Sequence, residues 1–358
     1  MSTSPLSLDQ HWQAILQLLP AHHFNGQHIR FDGQPALDDS AENGSIYPLP
    51  HWGCIAVEGP EAATFLQGQL TADAANLAIG ESAMAAHCDP KGRMHANFYL
   101  YRLNDQCFYL LLPLSMVGRA LEALKKYAVF SKAELSNLSH SLALFAVTNQ
   151  SSAASKCLSQ TCESIQAHQL SVGNGRQIII VDHGHASSFI KTINSPSLTP
   201  SPLTWQGSSA WEYQLIQQGI GFIQPATAGE IIPQMLNLDA LEGISFTKGC
   251  YTGQEIIARM KYRGKVKRRC YPFSTRETIT ADQLISLSIG SAIFDSQGNH
   301  CGVVISSVIE TTTSCRGYGL AVLKVAAIES GNDLSLTDKD IDEAVVIDLG
   351  KLPYPLDE

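Results

Sequence analysis

Thr252-Gly253-Gln254-Glu255 fixes a boundary in this chain. The T-x-x-E spacing predicts a capping box, in which the Thr252 hydroxyl accepts from the Glu255 N–H and the Glu255 carboxylate accepts from the Thr252 N–H, so that a helix starts here. Ile256, Ile257 and Met260 give it an apolar stripe, and Gly264 is placed to end it. Cys250 then stands just ahead of a helix N-terminus, with Lys248 two residues away. The partial positive charge of such an end favours thiolate over thiol and makes this sulfur the most reactive candidate. A free cysteine is as readily a small buried hydrophobe, so the helix start alone leaves both roles open.

Positive charge crowds the same place. Arg259, Lys261, Arg263, Lys265, Lys267, Arg268 and Arg269 are seven of the chain's 24 lysines and arginines, in a protein of formal net charge −9. Part of this density complements a helix C-terminus. An acidic chain that gathers its cations in one segment has the composition of an anion site, for the tail of a polyanionic cofactor or for a nucleic-acid backbone.

With 358 residues, two or three domains are expected. The clearest seam is Asn194-Ser195-Pro196-Ser197-Leu198-Thr199-Pro200-Ser201-Pro202, which reads as a linker or long exposed loop. Ahead of it, Leu142 to Val147 and Gln177 to Asp182 are apolar runs suited to buried strands of a small α+β subdomain. Gly59-Pro60-Glu61 places proline and then acid in a first helical turn leading to Phe65 and Leu66. Leu114, Val117, Leu121 and Leu124 recur at helical spacing, and Ala96 to Leu103 with Cys107 to Leu112 predict a hairpin around Asn104-Asp105. After the basic run, residues 292–294, 302–308, 318–322 and 345–349 read as short strands of a small β-barrel.

No apolar run is long enough to span a bilayer, and Met1 to Gln10 lacks a signal peptide's basic start and apolar core, so a reducing, cytoplasmic setting is expected. The nine scattered cysteines do not form a disulfide framework. No C-x-x-C pair occurs, and no metal site is expected.

From Trp211 to Arg269 the chain resembles the YgfZ family of folate-binding, tRNA-modification proteins, relatives of the glycine-cleavage T-protein. The resemblance is carried by Ile232-Pro233-Gln234, Asn237-Leu238, Leu241, Gly243-Ile244-Ser245-Phe246 and Lys248-Gly249-Cys250-Tyr251-Thr252-Gly253-Gln254-Glu255. Upstream it continues in Phe65-Leu66-Gln67-Gly68-Gln69 with Thr71 and Asp73, in His87-Cys88-Asp89-Pro90-Lys91-Gly92-Arg93, and in Leu124 to Ser131; Leu352-Pro353-Tyr354 matches at the end. It thins over residues 1–45 and 150–205.

The resemblance implies an α+β, T-protein-like architecture of three domains around a central channel, with a C-terminal β-barrel. On that scheme 1–46 are an N-terminal extension and the start of the folate-binding region. Residues 47–135 and 205–265 form the folate-binding core, 136–204 the α+β subdomain and 266–358 the barrel. It further implies that the cofactor is tetrahydrofolate or a one-carbon-substituted folate, that Trp52 and Trp211 contact it, and that Cys250 is the reactive residue with Lys248 tuning it. Tyr251, Gly253, Gln254, Glu255, Arg259, Arg263, Lys265 and Arg268 are further candidates. The implied role is in tRNA modification and in assembly or repair of iron–sulfur enzymes, with such enzymes and tRNA as partners and a monomer expected. Two alternatives stand beside it: a folate-dependent aminomethyl-type transferase, and a tRNA-binding factor using 259–269. The T-protein's catalytic aspartate position falls on Ala96, between His95 and Asn97, which argues against the transferase. Gln217 stands where many relatives carry a glutamate, so folate affinity or preference is expected to differ.

Overall fold

The computed structural model describes residues 10–25, 28–32, 37, 44–148, 151–195, 203–280, 282–311, 315–336 and 344–356. The chain opens with α1 (Gln10–Leu16), β1 (His22–Phe24), β2 (Ile29–Phe31), β3 (Ser45–Pro48) and β4 (Trp52–Glu58). Next come α2 (Ala62–Gln69), β5 (Ser82–Cys88), β6 (Met94–Asn104), β7 (Cys107–Pro113), α3 (Leu114–Ala128) and β8 (Glu134–Asn137). They lead to β9 (Leu142–Thr148), α4 (Ser152–Ile165), β10 (His168–Ser171), β11 (Gln177–Asp182), α5 (His183–Ile193), β12 (Thr204–Trp205) and α6 (Ser208–Gln217). The last third holds α7 (Gln254–Tyr262), β13 (Arg268–Thr275), β14 (Ala292–Asp295), β15 (His300–Thr311), β16 (Cys315–Lys324), α8 (Val325–Glu329), β17 (Leu334–Leu336) and β18 (Val345–Leu349).

Strand β9 explains the layering. Its residues alternate between two cores: Leu144 and Ala146 point one way, Phe145 and Val147 the other. Both faces are apolar because both are covered. β9 lies centrally in the sheet β10-β11-β9-β3-β12. Phe145 and Val147 pack against Leu158 of α4 and Phe189 and Ile190 of α5. Leu144 and Ala146 meet Trp52, Tyr99, Tyr101 and Leu111 from the second sheet, β5-β6-β7-β4-β8. That sheet's far face, with Ile55, Val57, Phe98, Leu100 and Leu110, is covered by Met116, Val117, Ala120 and Leu124 of α3. Two sheets thus meet face to face, with helices outside each.

The barrel closes in the order β13-β16-β15-β14-β17-β18 around Phe273, Ile293, Val304, Ala321, Leu323, Leu336 and Ile347. Helix α6 fastens it to the sheets. Ala210, Trp211 and Leu215 enter the core between the sheets, Ile216 joins the core that also takes Ile305 and Leu320 of the barrel, and Tyr213 meets Tyr318 edge-on at 4.9 Å.

The helical spacing from Leu114 becomes α3, the hairpin closes at Asp105-Gln106, and the four short runs near the C-terminus become β14, β15, β16 and β18. The seam is described only at Asn194 and Ser195; its prolines lie outside the described residues. One boundary moves. The helix expected to include Pro60 begins at Ala62 with Glu61 as its cap, because Gly59 turns at φ +132° against the Lys132 carbonyl and keeps Pro60 outside the first turn.

Gly53 marks a close approach of β4 to α3, since an added Cβ would stand 2.6 Å from Val117 Cγ2 and 2.5 Å from Ser139 Oγ. Gly53→Ala is therefore expected to lower unfolding stability by about 1–3 kcal/mol, measured as a urea midpoint. Gly118→Ala, on the open face of the same helix with nothing within 4 Å, is expected to raise it by about 0.5–1 kcal/mol.

Candidate functional site

The segment 248–255 is clasped between two other parts of the chain. Gly253 sits at φ +85°, and a Cβ there would lie 2.6 Å from the Asp89 carbonyl and 3.1 Å from Gly92 Cα. Gly92, at φ +74°, faces Ile256 and Ile257 in return. The 89–93 turn is itself held by the Asp89 carboxylate, which accepts from Lys91 N–H at 2.8 Å and Arg93 N–H at 2.9 Å. This close approach overturns the expected capping box. α7 starts at Gln254, its cap residue is left-handed Gly253, and no side chain caps it. A residue at φ +85° between Thr252 and the helix takes the Thr252 hydroxyl out of capping reach. Thr252 N–H donates instead to Gly68 O at 3.3 Å, and its hydroxyl meets Gln69 Oε1 at 3.5 Å. Glu255 is exposed in the first turn of α7, where its charge still complements the dipole. Gly264 follows the helix's cap residue Arg263, as the sequence predicts.

Lys248 is the second clasp. Its side chain is buried, and its ammonium donates to Leu70 O and Ala72 O at 2.7 Å each, with the Tyr251 ring 4.9 Å away. Burial pulls its pKa down to about 8, opposed by the Asp73 carboxylate. Those carbonyls begin the loop after α2, and Thr71 between them donates to Gly243 O at 2.6 Å and accepts from Ala86 N–H at 2.9 Å. On the far side, Gln234 Nε2 donates to Ile257 O at 2.7 Å. The scattered sequence elements around Gln67, Asp89, Gln234 and Lys248 thus come together in space.

Cys250 lies within this clasped loop and is the exposed one of nine free cysteines. Burial raises the thiols of Cys54 and Cys88, and brings Cys107, Cys162 and Cys270 up to about 12. The helix N-terminus stands farther from Cys250 than a start at Thr252 would have put it. Tyr251 is buried and Gln254 half-buried. Of the basic run, Arg259 and Arg263 are exposed on and just after α7, Lys265 and Lys267 are exposed beyond it, and Arg268 opens β13 half-buried. Arg269 differs: it is buried and paired to the Asp239 carboxylate at 2.6 and 3.0 Å.

The two tryptophans lie in the core between the sheets. Trp52 is 3% exposed, stacks on Tyr99 at 6.0 Å and meets Phe222 edge-on at 4.9 Å. Its Nε1 donates to Glu212 Oε1 at 3.1 Å, and His51 Nε2 lies 2.8 Å from the same oxygen. Burial raises the pKa of Glu212, but His51 and Trp52 outweigh it and the net shift is downward. Burial, aided by His51, takes His28 down to about 4. Trp211 is fully buried, and its Nε1 has no partner; neither do the buried Tyr99 hydroxyl, Arg176 Nη1 and Gln177 Oε1. Burial raises the Tyr99 pKa, against the charge of Arg176 nearby. Arg176 has no carboxylate partner among the described residues, its Nε donating to Gly173 O at 3.2 Å. His51, Glu212, Tyr99 and Arg176 escaped the sequence reading. The signal available for two of them was adjacency, in His51-Trp52 and Trp211-Glu212.

Ala96 is buried in β6, and its neighbour Asn97 bridges to Gly221 O and Ile223 N–H at 2.8 Å each, so this stretch carries structure. Gln217 is exposed at the end of α6. His87 is fully buried, and neither ring nitrogen has a partner.

Residues 39–185 match the family described as GCVT N-terminal domain. An uncharacterized protein of Haemophilus influenzae is 35% identical over 266 residues, covering 73% of this chain and 83% of that protein. A protein of Yersinia pseudotuberculosis named tRNA-modifying protein YgfZ is 31% identical over 254 residues, covering 68% of this chain and 75% of its own length. Among solved structures, glycine cleavage system aminomethyltransferase T from Bartonella henselae aligns over 99% of this chain and 98% of its own, with a TM-score of 0.65 at 16% identity. The two share a fold.

Lys248→Met would leave the buried Leu70 carbonyl unsatisfied and Ala72 O with the Ala74 N–H alone, so it is expected to cost about 1–3 kcal/mol, read as a lower denaturation midpoint. Burial, with His95 adding to it, holds His87 down to about 3 from its ordinary 6.5. The unfolded chain therefore takes up a proton first, and stability falls as pH drops from 6.5 towards 3, by at most about 1.4 kcal/mol per pH unit. His87→Leu is expected to flatten this acid-side loss in urea titrations at pH 7, 6 and 5; an unchanged slope would remove His87 as its source.

Proposed function

This chain belongs to the YgfZ family, and on that premise we propose that it is a cytoplasmic folate-binding protein acting in tRNA modification, with Cys250 as its reactive group and iron–sulfur enzymes that modify tRNA as its partners. The observation that carries the thiol assignment is selective exposure: of nine cysteines, the exposed one lies in the clasped motif. Lys248, committed to the carbonyls of Leu70 and Ala72, serves the thiol by fixing the loop that presents it.

The core between the sheets supports the folate assignment. Trp211 Nε1, the Tyr99 hydroxyl, Arg176 Nη1 and Gln177 Oε1 are buried without partners, and such atoms cost stability until something pairs with them. A folate offers what they lack: a pterin edge of donors and acceptors, aromatic faces, and carboxylates for a guanidinium. Trp211, Tyr99 and Gln177 would hold the ring system and Arg176 an anionic or carbonyl oxygen. The bound folate supplies a carrier for one-carbon units. Ala96 offers no carboxylate where the T-protein's aspartate would stand, so aminomethyl transfer is not favoured.

Trp211→Phe removes the N–H and keeps an aromatic ring. It is expected to weaken tetrahydrofolate binding about tenfold, the worth of a hydrogen bond of about 1.4 kcal/mol, in a calorimetric titration. Cys250→Ala is expected to keep folate affinity and denaturation midpoint while abolishing tRNA modification in cells lacking the native gene. Full complementation by that variant would sink the thiol's role. Unchanged folate binding in Trp211→Phe and Arg176→Gln would displace the pocket.

A further inference from the structure

Three of the cations beyond α7 face a cavity, not a carboxylate. The cavity is about 750 Å³ in volume and is walled by the start of β13, the end of β16, and α8. Lys265, Lys267, Arg268, Lys324 and Glu329 all line it, and so does Tyr271. Arg269 also borders it, but its charge is met by Asp239. The remaining four cations against Glu329 leave three unbalanced positive charges, in a chain whose formal net charge is −9.

The strand register makes the imbalance deliberate. β13 and β16 run antiparallel with Arg268 directly opposite Lys324, a placement in which like charges repel and destabilise the pair. Lys324 directs its ammonium to His300 O at 2.6 Å, a carbonyl that brings no charge. Lys267 is fixed beside them by its own carbonyl, which accepts from Val325 N–H at 3.0 Å. Among the described residues no carboxylate pairs with Lys265, Lys267 or Arg268. Half-buried Tyr271 adds an aromatic side chain to the same cavity.

We propose that this cavity at the β13–β16 end of the barrel binds a single-stranded stretch of RNA, its cations meeting phosphates and Tyr271 a base, so that the barrel docks the tRNA on which the protein acts. The inference rests on the tRNA reading above. Clustered cations with an aromatic side chain are the equipment of single-strand binding, and the volume suits a nucleotide better than a simple ion, since ligand pockets run about 300–1,000 Å³. The lining shares no residue with the aromatic core of Trp52, Tyr99 and Trp211, so a polyglutamate tail leaving that core is the less suited occupant.

Fluorescence anisotropy with bulk tRNA, over a series of salt concentrations, tests this on the full chain. The double variant Lys267→Gln/Arg268→Gln is compared with Lys156→Gln/Lys191→Gln, which removes the same charge from exposed positions on α4 and α5. The cavity variant is expected to bind at least tenfold more weakly and to lower the slope of log affinity against log salt by about 1.4, two contacts at about 0.7 each, with the control unchanged. Equal behaviour of the two variants, or no tRNA binding by the wild type, overturns the proposal. So does a cavity variant that loses affinity for a polyglutamylated folate but keeps it for tRNA. The functional proposal is judged separately by tRNA modification in cells: full complementation by the cavity variant as by the wild type would remove the docking site and leave that proposal standing.

Discussion

The carbonyls of Leu70 and Ala72 both accept from the Lys248 ammonium; Ala72 O also takes the Ala74 N–H at 3.1 Å, whereas Leu70 O is met by the ammonium. Lys248 therefore does for the 70–72 loop what a strand partner does elsewhere. Removing it would strand the Leu70 acceptor and halve the bonding of Ala72 O, and the loop between α2 and β5 is packed on both sides, with Thr71 bonded to Gly243 and Ala86. The placement of the 243–255 segment, the start of α7 and the exposure of Cys250 all depend on that contact. The second condition is steric. Gly253 and Gly92 let two turns touch at main-chain distance, which side chains at either position would prevent.

Much of the fold was legible because its signals were local. The stripe from Leu114 to Leu124 and the runs 142–147 and 177–182 carry periodicities that only burial on defined faces requires, and they became α3, β9 and β11. The barrel was legible from short strands broken by turns such as Asp295 to Asn299. The candidate site was legible in part. Its motif could be found, but T-x-x-E misled as a cap because the deciding contact, Gly253 against Asp89, spans distant parts of the chain. Arg269 could not be told from Arg268 by sequence. Strand alternation sends one to Asp239 and leaves the other beside Lys324.

Buried polarity separates two regions with different duties. The Asn237 amide is fully matched: its side chain bonds both Cys270 N–H and O, and the Tyr354 hydroxyl ties Asn237 to Gly219 O. Between the sheets, by contrast, several buried atoms lack partners. A fully matched network rigidifies, whereas an unmatched one holds interaction capacity that a ligand can use. The Asn237 network thus fastens the barrel with satisfied bonds, while the aromatic core keeps several atoms that a ligand can pair with.

Helix α6 carries a consequence of its own. One face belongs to the aromatic core and the other to the barrel contact at Tyr213 and Ile216. Detaching the barrel would bare Tyr213 and Ile216 while leaving Trp211 and Leu215 packed on the sheets. The helix is thus a shared strut: a tilt of the barrel against the sheets would lever on α6, whose opposite face carries Trp211.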